Sequence, residues 1–294
     1  MAQIREIKKR MVAVGTIQRI TKTMQMIATA KFTSSLQRAR ATRPYTDKIR
    51  ELVGQVASGC SDDLEDPLVG GVRGAPSREL VLVVSSDRGL CGAYNSHVLR
   101  TASRHLASLR AEGVEFELQI VGKKAAGYFA FAGTEYTEQY TFGDRPEFED
   151  VADVAQNYIT RFGLGEFSAV RVIYMKFITN ARQEPEVMQL LPMQLDEVIA
   201  EDAGDTGSNV SYEFSPSVEI ILSELLPRAV KTSLFQAVND AIVSEQVMRM
   251  IAMKAASDNA TGLGRTLKRD FNRARQSKIT TELTEIVSGA AALE

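Results

Sequence analysis

The fold of this chain is decided by residues 3–32, which read QIREIKKRMVAVGTIQRITKTMQMIATAKF. Apolar side chains recur there at steps of three or four residues; they are Ile4, Ile7, Met11, Val14, Ile17, Ile20, Met24 and Ile27. Such spacing places apolar side chains on one face of an α-helix. Proline is absent before Pro44, and Gly15 costs a helix only about 1 kcal/mol. The pattern predicts one helix over residues 3–57, roughly 80 Å long.

The other end of the chain, residues 217–290, shows the same periodicity. Pro227 is expected to kink or interrupt this helix, and Gly262 and Gly264 weaken it locally. The helical span approaches roughly 110 Å, whereas a compact domain of this mass is only about 40–50 Å across. The two terminal helices are therefore predicted to pair as an antiparallel coiled coil. Because the apolar period is irregular, strict heptads are not expected.

The middle of the chain predicts an α/β domain with a mainly parallel, Rossmann-like sheet. Short apolar or alternating runs predict strands at 79–84, 116–121, 169–178 and 187–191. Amphipathic segments predict helices at 94–112, 124–131 and 150–161. We predict four regions: a coiled-coil helix at 1–57, a linker at 58–77, an α/β globular domain at 78–212, and a second coiled-coil helix at 213–294.

The charge is distributed unevenly along the 294 residues, although the net charge is only −2. Residues 1–50 carry +10, residues 51–244 carry −14 and residues 245–294 carry +2. A basic arm on an acidic body suggests an anionic partner, for which nucleic acid, lipid headgroups and an acidic protein surface all fit. Two cysteines, Cys60 and Cys91, are too few for a disulfide framework, and no run is apolar for long enough to span a bilayer.

The loop SSDRGLCGAYN at 85–95 is the most conspicuous motif. It lacks the Gly-Lys-Ser/Thr ending of a phosphate-binding loop and the spacing of a dinucleotide loop. We expect a tight turn that is capped by Asp87 and Asn95. Cys91 would need a neighbouring base to act as a nucleophile, and His97 and His105 fall on the helix that follows. The histidines and cysteines lack zinc-ligand spacing, so the sequence predicts no catalytic, cofactor or metal site.

Four stretches together resemble the gamma subunits of F-type ATP synthases. They are IKKRM…IQRITKTMQMIATAKF within 7–32, SDRGLCGAYN at 86–95, SEQVMRMIAMKAASDNA at 244–260 and ITTELTEIVSGA at 279–290. One departure is Ala93, where the family more often carries glycine. The resemblance covers both ends and the middle of the chain.

This resemblance implies a non-catalytic rotor without a cofactor. In the family, the coiled coil enters a ring of three alpha and three beta subunits that carry the nucleotide sites. The globular base binds the epsilon subunit and the membrane c-ring. The positions that match beta-subunit contacts are Met24, Arg249, Gln276, Thr280 and Glu282. We expect a peripheral location on the cytoplasmic face of a bacterial inner membrane, with no direct membrane insertion and no nucleic-acid partner.

Two other classes of function compete with this interpretation on the sequence alone. One is a nucleotide-using enzyme with a helical arm, and the other is a basic coiled-coil protein that binds nucleic acid. Aromatic residues that could stack on bases are scarce in the basic arm, where Phe32 is the only one before Tyr45. The plant chloroplast members of the family carry an inserted cysteine pair for redox control. This chain has no such pair near its middle, and we predict no thiol regulation.

Overall fold

The computed structural model describes residues 2–58, 66–72, 74–193 and 218–291. Cys60, the polar loop at 201–216 and most of the first half of the predicted linker lie outside these ranges. The chain forms two compact units. The first unit contains Met1–Thr29 and Arg249–Glu294, and the second contains Ala30–Met248. We describe each unit by itself.

Two long helices dominate the chain and contribute to both units. Helix α1 covers Ala2–Ser58 and contains Pro44. The C-terminal helix, α6, covers Val218–Ala291. It runs without a break through Pro227, where the sequence predicted a kink or an interruption. Leu226 and Val230 are fully buried on either side of the proline, and their burial outweighs the hydrogen bond that proline cannot make.

The two helices pack against each other, as the sequence predicted, but the seam between them corrects one expectation. Its positions are buried or half-buried, and they alternate strictly between steps of three and four. In the first unit, α1 supplies Ile4, Ile7, Met11, Val14, Gln18, Thr21, Gln25 and Ala28, and α6 supplies Met253, Ser257, Ala260, Gly264, Leu267, Phe271, Ala274 and Lys278. This is the heptad spacing of a coiled coil. Polar and small residues fill many of these positions, which hid the heptads from a search for apolar periodicity.

In the second unit, the same alternation continues along α1. The inward positions there are Phe32, Ser35, Ala39, Thr42, Thr46, Ile49, Val53 and Val56. Thr42 donates a hydrogen bond from Oγ1 to Oε1 of Gln236 on α6 at 3.2 Å. The helix pair therefore continues as a packed pair within this unit.

A five-stranded sheet forms the centre of the second unit. Its strands are β1 Arg78–Val84, β2 Glu115–Val121, β3 Glu138–Tyr140, β4 Ala169–Thr179 and β5 Arg182–Leu191, in the spatial order β3-β2-β1-β4-β5. All neighbours are parallel except β4 and β5, which form an antiparallel hairpin. The mainly parallel sheet is confirmed. The three-residue β3 was missed because it is too short and polar to give a periodic signal.

Four shorter helices lie within the residues that the structure describes. They are α2 Pro67–Gly70, α3 Tyr94–Ala111, α4 Lys123–Phe131 and α5 Phe148–Gly163. The last three agree with the predicted helices to within two residues at each end. Helix α2 lies within the segment predicted as a linker, and Asp66 caps it by accepting a hydrogen bond from the Leu68 amide at 2.8 Å.

The two faces of the sheet pack on different helices, since side chains alternate along each strand. Val81 and Val83 face a core that is completed by α3 and α4. Leu80 and Leu82 face the opposite core, which is completed by α5 and by the α1 and α6 segments of this unit. The long helix pair thus covers one face of the sheet within the second unit.

A buried carboxylate lies at the start of β2. Both oxygens of Glu117 accept hydrogen bonds from the Arg161 guanidinium at 2.9 Å. This guanidinium also lies over the Phe167 ring, 4.6 Å from its centroid. The hydrogen bonds from Arg161 hold the pKa of Glu117 below its usual value, although burial acts in the opposite direction.

Candidate functional site

The two helices of the first unit run antiparallel with a fixed register. Gln18 Nε2 donates to Thr261 Oγ1 at 2.8 Å. Four residues earlier on α1, the side chain of Val14 lies 4.0 Å from where a Cβ on Gly264 would stand. Moving toward the start of α1 therefore moves toward the end of α6. The register places the first residues of α1 opposite about residue 276 of α6.

A second apolar stripe runs along α1 outside the seam. We define the outer stripe as Ile17, Ile20, Met24 and Ile27, which are spaced by three, four and three residues. The three isoleucines are 51%, 53% and 52% exposed, and Met24 is half-buried. In the part of the chain that the structure describes, the stripe is thus a largely exposed apolar face of the helix.

The outer stripe explains the irregular period of the sequence. The apolar series follows the seam as far as Val14 and then passes through Ile17 and Ile20 onto the outer stripe. Three successive steps of three residues, from Met11 to Ile20, mark this departure, because a helix face that follows a seam alternates steps of three and four. That irregularity was the signal in the sequence for an outward-facing apolar surface.

The end of α6 forms a second exposed apolar surface, here called the tip and defined as residues 279–289. Every residue of the tip is exposed, including Ile279, Leu283, Ile286 and Val287. These residues lie beyond the part of α6 that the register pairs with α1. Their exposure argues against docking of the tip on the described part of the chain's own body.

The three threonine hydroxyl groups of the tip donate hydrogen bonds within the helix. Thr280 and Thr284 donate from Oγ1 to the backbone oxygens of Gln276 and Thr280, at 3.1 and 2.8 Å. Thr281 donates in the same way to Ser277 at 3.0 Å. The tip can enter an enclosed, poorly hydrated environment without stripping water from these groups.

The rest of the first unit is strongly basic. Its residues carry a formal charge of +8, whereas the second unit carries −10. Exposed cations cluster on α6, where Arg265, Lys268, Arg269 and Arg273 line one shallow surface depression with Asn272 and Gln276. The coiled coil therefore presents an apolar stripe on one helix and a cationic face on the other.

The structure places the five predicted contact residues in two groups. Met24 belongs to the outer stripe, and Arg249 is 9% exposed at the start of the α6 segment in this unit. Gln276, Thr280 and Glu282 lie within two turns of one another, roughly 40 Å along α6 from Arg249. Gln276 and Thr280 are exposed, and Glu282 pairs with Lys278 at 3.1 Å. These assignments remain predictions, and the buried Arg249 offers less surface to a partner than the other four.

The loop that the sequence singled out, residues 85–95, forms a tight and strongly hydrogen-bonded turn at the end of β1. The Asn95 side chain accepts from the Ser86 amide at 3.1 Å and donates to Cys91 Sγ at 3.1 Å. Asp87 accepts from the backbone amide of Lys123 at 3.1 Å and so caps the start of α4. Cys91 is buried and carries no disulfide.

The close approach of the next loop to this turn requires glycine at one position. Gly122 has a φ of 89°, and a Cβ there would lie 2.5 Å from the Ser85 carbonyl oxygen. In the parts of the chain that the structure describes, no group of three His, Cys, Asp or Glu side chains has a metal-binding arrangement. No described helix is both long and apolar enough to cross a membrane.

Comparison with known proteins decides the family. A family model described as ATP synthase matches residues 3–293. The chain is 39% identical to the ATP synthase gamma chain of Rhodopirellula baltica over 297 residues, an alignment that covers 100% of both chains. It is 38% identical to the ATP synthase gamma chain of Glaesserella parasuis over 298 residues, again with 100% of both covered.

The chain belongs to the ATP synthase gamma-chain family. The resemblance drawn from the four sequence stretches is thereby confirmed. The relatives in this family bear the name of a subunit, which supports the prediction that this chain is a subunit and not a free-standing enzyme.

Solved structures of the family agree in fold. A chain in the cryo-EM structure of the Euglena gracilis mitochondrial ATP synthase, OSCP/F1/c-ring in rotational state 3, matches with a TM-score of 0.68 at 18% identity and covers 99% of this chain and 95% of that one. A chain in the central stalk/c-ring structure of the Tetrahymena thermophila enzyme matches with a TM-score of 0.58 at 23% identity, covering 81% and 99%. At these identities the likeness concerns the fold.

Proposed function

We propose that this chain is the central-stalk rotor of an F-type ATP synthase and that it couples ion-driven rotation of a c-ring to ATP synthesis or hydrolysis on alpha and beta subunits. One observation carries the proposal. The paired helices keep polar and small residues such as Gln18 and Ser257 in their seam while they expose the outer stripe and the tip. A coiled coil built only for its own stability would have the opposite arrangement.

The exposed apolar surfaces indicate a protein partner. Burying a large aliphatic side chain is worth about 1.5–3 kcal/mol, so the three isoleucines of the outer stripe represent a substantial unused driving force. Clustered exposed apolar residues mark interaction surfaces in soluble proteins. The cationic face beside them favours an acidic surface on that partner, as alpha and beta subunits would have to supply in this proposal.

The proposed coupling between rotation and ATP chemistry follows from the chemical asymmetry of the coiled coil. The outer stripe on α1, the cationic depression on α6 and the tip are different surfaces of one coiled coil. Three identical beta subunits arranged around it would each contact a different one of these surfaces. Each beta subunit would then favour a different conformation, and rotation would exchange these preferences among the three. Met24, Arg249, Gln276, Thr280 and Glu282 are the proposed beta-contact residues.

The remaining regions have separate roles in the proposal. Residues 1–57 and 213–294 form the shaft, and residues 78–212 form a base that binds the epsilon subunit and the c-ring, with residues 58–77 as the connection. The chain itself binds no nucleotide, cofactor or nucleic acid. It acts as a peripheral protein on the cytoplasmic face of a bacterial inner membrane, without inserting into it.

A double substitution on the outer stripe tests this function. Ile20→Gln with Ile27→Gln should change the free energy of unfolding of the free chain by no more than about 0.5 kcal/mol, because both sites are exposed. In a complex reconstituted with alpha and beta subunits, it should lower the coupling of ATP hydrolysis to rotation. Leu164→Gln with Ile178→Gln is the matched control, since these apolar residues are exposed in the second unit. Unchanged coupling in the stripe variant would contradict the proposal.

The two rival functions give different results with the purified chain. Nucleotide binding measured by calorimetry would favour an enzyme. DNA or RNA binding whose affinity falls steeply with salt would favour a nucleic-acid protein that uses the cationic face. Our proposal predicts neither, and it predicts that the chain co-purifies with two larger ATPase subunits.

A further inference from the structure

One short stretch of the second unit ties both long helices to the sheet by directional contacts. Asp144 lies in the turn after β3, and one of its carboxylate oxygens accepts a hydrogen bond from Lys31 of α1. The other carboxylate oxygen of Asp144 accepts from Gln246 Nε2 of α6 at 3.4 Å. Its backbone oxygen accepts from Arg38 of α1 at 3.0 Å. A single loop residue thus bonds to both helices.

The end of β4 holds the same two helices through different atoms. The rings of Phe32 on α1 and Phe177 on β4 meet with centroids 6.2 Å apart, and Phe32 is only 7% exposed. Ser244 on α6 is buried and donates from Oγ to the Met175 backbone oxygen at 3.1 Å. Each helix is therefore held by two separate parts of the sheet, through residues at 31–32 on α1 and 244–246 on α6.

The geometry of these contacts resists twisting. A helix that is held at one point can swivel about that point, whereas two contacts with different elements oppose rotation about the helix axis. Asp144 also links the two helices to each other and so opposes sliding of one along the other. The apolar core beneath the helices provides adhesion, but apolar adhesion is non-directional and yields to rotation more readily than hydrogen bonds do.

Folding stability alone gives a weak reason for the Asp144 contacts. The side chains of Lys31 and Asp144 are 36% and 50% exposed. Ion pairs at such exposure contribute about 0–1 kcal/mol. The position of the contacts is more informative than their strength, because residue 31 of α1 and residue 246 of α6 are each within three residues of the unit boundary at Thr29 and Arg249.

We propose that Lys31, Phe32, Asp144, Phe177, Ser244 and Gln246 form a torsion clamp that fixes the helix pair to the sheet and transmits torque between them. This inference rests on the proposed rotor function. It assigns Asp144 a positioning role in coupling that involves no contact with nucleotide or with another subunit.

Torsional stiffness in the assembled complex tests the clamp. The complex is stalled without ATP, and the angular fluctuation of a bead attached to the second unit is recorded. Asp144→Ala removes both side-chain contacts and should widen the angular distribution, a loss of stiffness. The matched control is Asp153→Asn, an exposed carboxylate on α5, which should leave the width unchanged.

A charge swap separates the clamp from a general loosening of the fold. Lys31→Asp and Asp144→Lys should each widen the distribution, and the double variant should be narrower than either single variant because the pair is restored with reversed charges. Gln246→Leu removes the bond between Asp144 and α6, and it replaces Asp144→Ala in the test if that variant folds poorly. Equal widths for wild type, Asp144→Ala and Gln246→Leu would overturn the clamp while leaving the rotor intact. A wild-type chain that assembles but never turns would instead overturn the proposed function.

Discussion

The amide of Gln18 donates to the hydroxyl of Thr261 at 2.8 Å across the seam of the coiled coil. A polar pair at the seam costs stability but fixes the register, since any shift along the helices leaves the Gln18 amide without this acceptor. In a shaft the register determines which outward surfaces of the two helices stand side by side. The polar seam thus serves the arrangement of the outer stripe and the cationic face.

Breaking this pair on one side should be more damaging than removing it altogether. Thr261→Val leaves the Gln18 amide without its partner, and we expect a loss of about 1–2 kcal/mol in the free energy of unfolding. Gln18→Leu combined with Thr261→Val should recover that loss. Urea titration followed by circular dichroism measures both variants. Thr23→Val is the control, because Thr23 bonds only to Arg19 of its own helix. A double variant as unstable as Thr261→Val would refute the pairing.

The bidentate contact between Arg161 and Glu117 predicts a large effect of a conservative change. Lysine cannot reproduce two parallel hydrogen bonds or the stacking on Phe167, and it leaves Arg78, at 3.2 Å, as the guanidinium that pairs with the buried carboxylate. Arg161→Lys should lower the free energy of unfolding by roughly 1–3 kcal/mol. The same change at Arg182, whose pair with Glu184 is exposed, should leave the free energy of unfolding nearly unchanged. Similar losses at the two sites would show that burial of the pair is unimportant.

Asp240 predicts a dependence of stability on pH. Burial raises the pKa of its carboxyl from 3.8 to about 6, although Gln236, Arg43 and Lys176 act to lower it and Glu186 adds to the rise. The folded chain therefore retains a proton that the unfolded chain loses at lower pH. The contribution of this bound proton to the free energy of unfolding is present in full below about pH 4, and it is lost as the pH rises through about 6.

Asp240→Asn should remove this dependence. The variant should be more stable than wild type by about 1–3 kcal/mol at pH 7.5, and the difference should shrink toward pH 4. Asparagine retains an oxygen that can accept from Gln236, whose bond to Asp240 measures 2.9 Å. Unfolding free energies at a series of pH values provide the measurement, with Asp153→Asn as the control. If the unfolding free energies of Asp240→Asn and wild type differed by the same amount at every pH, the raised pKa of Asp240 would be contradicted.

The sequence predicted the parts of the fold that repeat a simple period. Strands such as Arg78–Val84 and helices such as Tyr94–Ala111 follow from apolar runs bounded by turn residues. The strict heptads were missed because Gln18, Thr21 and Ser257 are polar at seam positions, so burial and hydropathy disagree there. The opposite disagreement, apolar side chains that are exposed, identifies the outer stripe.

The candidate site was predictable only in part. Met24 and the stretch at 279–290, which contains the tip, followed from the resemblance. The resemblance did not indicate that Arg249 would be 9% exposed or that Asp144 would bond to both long helices. Such contacts join residues more than one hundred positions apart in the sequence, and no local pattern encodes them. They arise where the sheet brings a turn against the helix pair.

Rotation of the chain within an alpha and beta ring tests the central claim most directly. A bead attached to the second unit of this chain, in a surface-fixed complex with alpha and beta subunits, is followed by microscopy while ATP is hydrolysed. We predict rotation in one direction with three preferred angular positions, one for each beta subunit. A chain that stays bound and motionless, or that fluctuates without direction while hydrolysis proceeds at the normal rate, would contradict the rotor.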